Sequence, residues 1–177
     1  LGLDLAMVDN SEPWFAALLI TQLRLMMLGF DPGFGVEQQF LERARADGKT
    51  IHGLETMQEQ LAALDELPLS VQRKFLIQTL DEAAEADSEM DAVVAAWKTG
   101  DTRELERVLL AGLADTPSVY ESLLVQRNRN WARKIRTLTD DSENYLIIVG
   151  AMHLVGDDSV LRMLAGSGYS ARQLSSR

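Results

Sequence analysis

His153 is one of only two histidines in the chain, and its setting is suggestive. The apolar run Tyr145-Leu146-Ile147-Ile148-Val149 empties into Gly150, His153 follows three residues later, and Asp157-Asp158 then opens a helical stretch. Strand, glycine, polar side chain and helix in that order is how α/β proteins place sites at the carboxyl ends of their strands. Glu55 stands in a comparable place, closing a short strand candidate from Lys49 to Leu54 just before a helical stretch that begins at Thr56. Glu37 lies in the first turn of a helix after the turn-rich segment Asp31-Pro32-Gly33-Phe34-Gly35, and Arg127 interrupts an otherwise apolar stripe. A divalent-metal hydrolase needs about three protein ligands from His, Asp and Glu and an open position for water, which the ion acidifies toward neutral pH. His153 fits as a metal ligand or an acid/base, Glu55 as a ligand or general base, and Glu37 as a further oxygen donor. Arg127 could neutralise a substrate carboxylate or a developing oxyanion with fixed two-pronged geometry. The constellation points to hydrolysis and is short of one or two ligands.

Each residue also has a plainer use. His153 could be a hydrogen-bonded structural histidine, and Glu55 and Glu37 could simply face the positive end of a helix dipole. Arg127 could pair with Glu121 or another acid as a structural ion pair. His52 reads as an ordinary strand residue, Trp97 and Trp131 as core anchors, and Met26-Met27 as core filler. The acidic clusters from Asp81 to Asp91 and at Asp140-Asp141 read as solvated faces, and Asp157-Asp158 as the cap of the following helix.

The elements that must position these residues are mostly helices. Pro13 starts an apolar helix from Trp14 to Leu28 that stops at Gly29, and Val36, Phe40, Leu41 and Ala44 repeat at helical spacing until Asp47-Gly48. From Pro68 to about Thr139 the pattern is helical throughout, with Thr102 as the cap of one helix, and residues 66–116 read as a helical bundle or cap. The last helix of that region, from about Ser118 to Leu138, sets Leu124, Arg127, Trp131 and Ile135 near one stripe. A helix from Ser159 to Ala165 and a strand candidate from Tyr169 to Leu174 close the chain.

The sequence of 177 residues suits a single domain, and 46% apolar residues suffice for a core. With 27 acidic against 17 basic residues, a net charge of −10 and no dense basic cluster, nucleic acid is excluded as an expected partner. The absence of cysteine excludes disulfides, thiol nucleophiles and thiolate metal sites. No apolar run approaches the roughly 20 residues needed to span a bilayer. The chain opens on Leu1-Gly2-Leu3-Asp4 without a methionine, which predicts a processed or truncated form.

Together these readings predict a helix-rich α/β domain with a small mixed sheet of few strands. The Tyr145–Val149 run is apolar on both faces, as central strands are, yet too few strands flank it. The expected sheet therefore needs a missing amino-terminal segment or another chain to complete it, the latter making a homo-oligomer.

Val36-Glu37 after Gly35, Leu54-Glu55-Thr56 with Glu59-Gln60, Ala96-Trp97 with Gly100-Asp101, Arg127-Asn128 with Trp131-Ala132, and Gly150-Ala151-Met152-His153 with Gly168-Tyr169 occur in one order from about Pro13 to Leu174. This ordered set resembles the TraB/GumN (TraB/PrgY/GumN) family, which is linked to the Tiki proteases. The resemblance implies two GxxH motifs plus a glutamate and an arginine, and a metal-dependent peptidase activity in the best-studied members. Gly150 to His153 matches the second GxxH, while the first has no counterpart, since His52 merely precedes Gly53. The chain thus reads as the carboxyl-terminal portion of a family domain spanning 1–177. What the resemblance implies is a divalent metal ion, a peptide or small-molecule substrate and a periplasmic or other extracytoplasmic location. The alternative is a non-catalytic protein that sequesters a peptide, since some family members are associated with shutting off peptide pheromones.

Overall fold

A computed structural model describes residues 8–83, 87–139 and 142–174. Leu1 to Asp4, the 84–86 part of the acidic cluster near Asp81, and Asp140-Asp141 lie outside the described residues.

Nine α-helices are found among the described residues: α1 (Pro13–Met27), α2 (Val36–Ala46), α3 (Met57–Asp65), α4 (Leu69–Ala83), α5 (Asp87–Thr99), α6 (Thr102–Ala111), α7 (Pro117–Tyr120), α8 (Arg127–Leu138) and α9 (Val160–Ala165). A π-helical stretch, Glu121–Gln126, joins α7 to α8, and a 3-10 turn covers Ala151–Leu154. Local chemistry sets several boundaries. Pro13 occupies the first turn of α1, and Gly29 just beyond its end adopts φ +88°, a conformation a side chain disfavours. Thr56 caps α3 through a reciprocal box with Glu59. Asp101 accepts from the Arg103 and Glu104 N–H groups, so it, and not Thr102, caps α6. Ser159 caps α9, the part expected of Asp157-Asp158.

The α/β expectation is overturned: among the described residues there is no strand and no sheet. Residues 49–53, the Tyr145–Val149 run and the segment from Tyr169 to Leu174 all run as non-helical coil. β-branched and apolar residues favour extended backbone, but a strand exists only when a neighbour takes up its N–H and C=O groups. Among the described residues there is thus no partial sheet of the kind expected to be completed by a further segment or a second copy. Nor is the Tyr145–Val149 run buried on both faces, for Leu146 is 71% exposed. Trp97 and the Met26-Met27 pair, expected in the core, are exposed as well. His52 is exposed in a coil segment.

The buried interior is divided into three clusters. One gathers Trp14, Leu64, Leu113, Val119 and Leu124, where α1, α3, α7 and the π stretch meet. A second holds Ala96 of α5, Leu105 of α6 and Val155, and a third holds Trp131 and Ile135 of α8 with Val160 of α9. Residues 149–155 touch all three: Val149 packs on the third, Met152 on the first, and Val155 belongs to the second. The turn that carries His153 is thereby held from three sides.

Candidate functional site

Four of the expected features converge on the start of α8. Arg127 donates from Nε to Glu55 Oε2 at 3.1 Å and from Nη2 to Glu55 Oε1 at 2.6 Å, a bidentate pair whose side chains are only 16% and 14% exposed. Its Nη1 donates to the Leu123 carbonyl at 3.0 Å, which holds the guanidinium along the preceding turn. Trp131, one helical turn on, donates from Nε1 to the same Glu55 Oε2 at 3.0 Å, and Arg127 lies over its ring at 4.9 Å from the centroid. Lys134, further along α8, donates to the Leu54 carbonyl at 2.8 Å. Three side chains of one helix thus clamp the 54–55 segment at its junction with α3.

His153 packs against Trp131, with ring centroids 4.4 Å apart and planes tilted by 45°. Its backbone N–H donates to the Gly150 carbonyl at 3.0 Å, closing the 3-10 turn. The ring is buried, and its Nδ1 lies 2.6 Å from Asn128 Oδ1. Asn128, with no exposed surface, donates from Nδ2 to the Asp158 carbonyl at 2.7 Å, and the Asp158 carboxylate accepts from the Tyr120 hydroxyl at 3.0 Å. Burial lowers the His153 pKa to about 4, with the nearby Arg127 charge acting the same way and Glu55 opposing. Burial also raises the Tyr120 phenol to about 12, reinforced by its bond to Asp158.

His153 is therefore a neutral imidazole at physiological pH. Of the acids open to Arg127, Glu55 and not Glu121 is its partner, and Arg129 takes Glu121 at 2.7 Å. Trp131 is a core residue, as expected, and also a hydrogen-bond donor within the site. Tyr120 was not singled out from the sequence, Asp158 was expected only as part of the cap of the following helix, and Asn128 entered only among the residues that carry the family resemblance. The signal for Asn128 was there: an amide on the helical stripe that otherwise buries Leu124, Trp131 and Ile135. Asp158 and Tyr120 carried no such signal, because only the fold brings their distant segments together.

The expected ligand trio of His153, Glu55 and Glu37 is not assembled. Among the described residues no three His, Cys, Asp or Glu side chains come together as an ion would require. Glu37 is exposed in the first turn of α2, a helix with no buried residue, and its carboxylate folds back over Gly35. A shallow cavity of about 300 Å³ lies on α8, lined by Arg133, Arg136, Thr137 and Tyr169, none of which belongs to the His153 cluster.

The sequence profile of the TraB/PrgY/gumN family matches residues 1–173. The chain belongs to that family. Among its relatives, the uncharacterized protein YbaP of Escherichia coli (strain K12) is 24% identical, with 93% of this chain aligned to 60% of YbaP. A metalloprotease TIKI homolog of Amphimedon queenslandica is 28% identical, with 77% of this chain aligned to 32% of the relative. The chain thus spans well under two thirds of the length of these relatives. No solved structure matches it. Among the described residues, no helix of this family member is long and apolar enough to cross a membrane.

Proposed function

We propose that this family member acts as a metal-dependent hydrolase of peptide-like substrates, with His153 as its working imidazole. The observation that supports this reading is the state of that ring. It is neutral and buried, with one nitrogen engaged by an amide oxygen, so that the other carries a lone pair for an ion or a proton. The relationship to a protein named as a metalloprotease homolog points the same way. A divalent ion, where bound, would acidify a water molecule. His153 fits as one ligand. Glu55 fits less well in this arrangement, since Oε2 accepts from both Arg127 and Trp131 and Oε1 accepts from Arg127. Its role here is to hold Arg127 and Trp131 in place. Arg127 keeps two of its five N–H donors beyond its bonds to Glu55 and Leu123, enough to meet a substrate carboxylate or oxyanion. An extracytoplasmic setting belongs to the same proposal and rests on the family alone.

The test is peptide hydrolysis by the full-length protein, with and without a chelator, and with His153→Ala. Loss of turnover in chelator, restored by added divalent metal, and its loss in the variant are expected; turnover indifferent to both would overturn the reading. One observation favours the second reading, a peptide-binding protein without turnover: Glu55 and Arg127 engage each other, so the Glu55 carboxylate does not stand ready as a base. Peptide affinity that survives chelation, with no product formed, would decide for it.

A further inference from the structure

We propose that Asn128 is a positioning residue that sets the tautomer of His153, keeping the proton on Nδ1 and the lone pair on Nε2. The inference rests on the reading above that His153 is the working imidazole, and it names the group that prepares it. A backbone carbonyl can only accept, so the Asp158 carbonyl, 2.7 Å from Asn128 Nδ2, dictates which end of the amide faces it. The NH2 group must point to Asp158, and the amide oxygen must then point to the imidazole. That oxygen, 2.6 Å from Nδ1, is likewise only an acceptor, so the ring nitrogen must be the donor. Turning the amide over would set two acceptors against each other at Asp158, a clash that no change of imidazole tautomer relieves. The polarity of the chain from Asp158 through Asn128 to His153 therefore has one low-energy sense.

The surroundings keep that chain in place. Asn128 is fully buried, so water does not compete for its amide. The Asp158 segment is tied down by the Tyr120 hydroxyl on the Asp158 carboxylate and by Ser159, itself buried, capping α9. Trp131 against the imidazole limits rotation of the ring. Asn128 and Trp131 project from the same helix, so the residue that orients the ring and the residue that supports it move together.

The experiment is a two-bond proton–nitrogen NMR spectrum of the full-length protein labelled with 15N-histidine at neutral pH, His153→Gln identifying the His153 signals. The wild-type ring is expected as the Nδ1–H tautomer, unlike free imidazole side chains, which favour Nε2–H. Asn128→Asp keeps an acceptor at the same place and should keep a proton on Nδ1. Asn128→Leu, of similar size and without an acceptor, should move the proton to Nε2. A purely structural Asn128 would lower thermal stability in both variants without this split. An Nε2–H ring in the wild type overturns the proposal even if neither variant folds, as does an unchanged tautomer in folded Asn128→Leu. Because the spectrum does not depend on turnover, an Nδ1–H ring in a protein that hydrolyses nothing supports this inference while defeating the proposed function.

Discussion

Glu55 and Glu37 hold similar places in the sequence and opposite places in the molecule. Each follows a segment rich in turn formers or strand candidates and stands at the opening of a helix, and each was a candidate ligand on those grounds. Glu55 ends in a partly buried bidentate pair with Arg127, supported by Trp131. Glu37 ends in solvent over Gly35, on a helix that buries nothing. The difference lies in what packs on the junction. Leu54 reaches the cluster around Trp131 and Ile135, which carries Glu55 to α8, whereas Phe34, Val36 and Phe40 remain exposed beside Glu37. Of these two carboxylates, the one that acquires a long-range partner is the one whose adjoining apolar residue, Leu54, is drawn into a core.

The strongest way to break that comparison is to remove one member of the Glu55–Arg127 pair. Glu55→Gln should cost about 3 kcal/mol in denaturant unfolding, because it leaves a largely desolvated guanidinium without its counter-charge. Adding Arg127→Met to that variant should recover part of the loss. A cost below about 1 kcal/mol would mean that the pair behaves like an exposed ion pair and that the two glutamates are not so different.

The next effect is a pH dependence centred on His153. Its pKa is lowered in the fold from 6.5 to about 4, so the unfolded chain binds the extra proton first as acid is added. Stability conferred by the neutral ring is present above pH 6.5 and is lost as pH falls toward 4. A shift of this size corresponds to at most about 3.5 kcal/mol, since each unit is about 1.4 kcal/mol, and solvent screening makes the realised effect smaller. Unfolding curves across that window should show the loss in the wild type and a reduced loss in His153→Gln; equal slopes would remove burial as the cause of the shift. The smallest effect belongs to Glu37. Glu37→Gln should change stability by less than about 0.5 kcal/mol and leave peptide turnover as it was. A change as large as that of Glu55→Gln would show that α2 has a partner in the working protein.

Helix positions were largely legible from the sequence, because apolar spacing, Pro13 and Gly29 act within a few residues of where they stand, whereas the caps at Asp101 and Ser159 were placed one residue or more away. The stripe that buries Leu124, Trp131 and Ile135 and presents Arg127 at its margin was legible for the same reason. The lack of a sheet among the described residues was not, since the composition of the Tyr145–Val149 run speaks only to backbone preference, and pairing depends on a neighbour that no single segment specifies. Nor was Glu55 as the partner of Arg127, for Glu121 is far nearer along the chain than Glu55.

By itself the amino-acid sequence determined the helices, the candidates His153, Glu55 and Arg127, and the family that their order resembles. Tertiary structure alone decided that Glu55 belongs with Arg127 and Trp131, that Glu37 stands apart, and that His153 is neutral beneath Asn128. Those outcomes depend on desolvation and on hydrogen bonds between segments tens of residues apart, and both are created only when the three buried clusters close around the turn from Val149 to Val155.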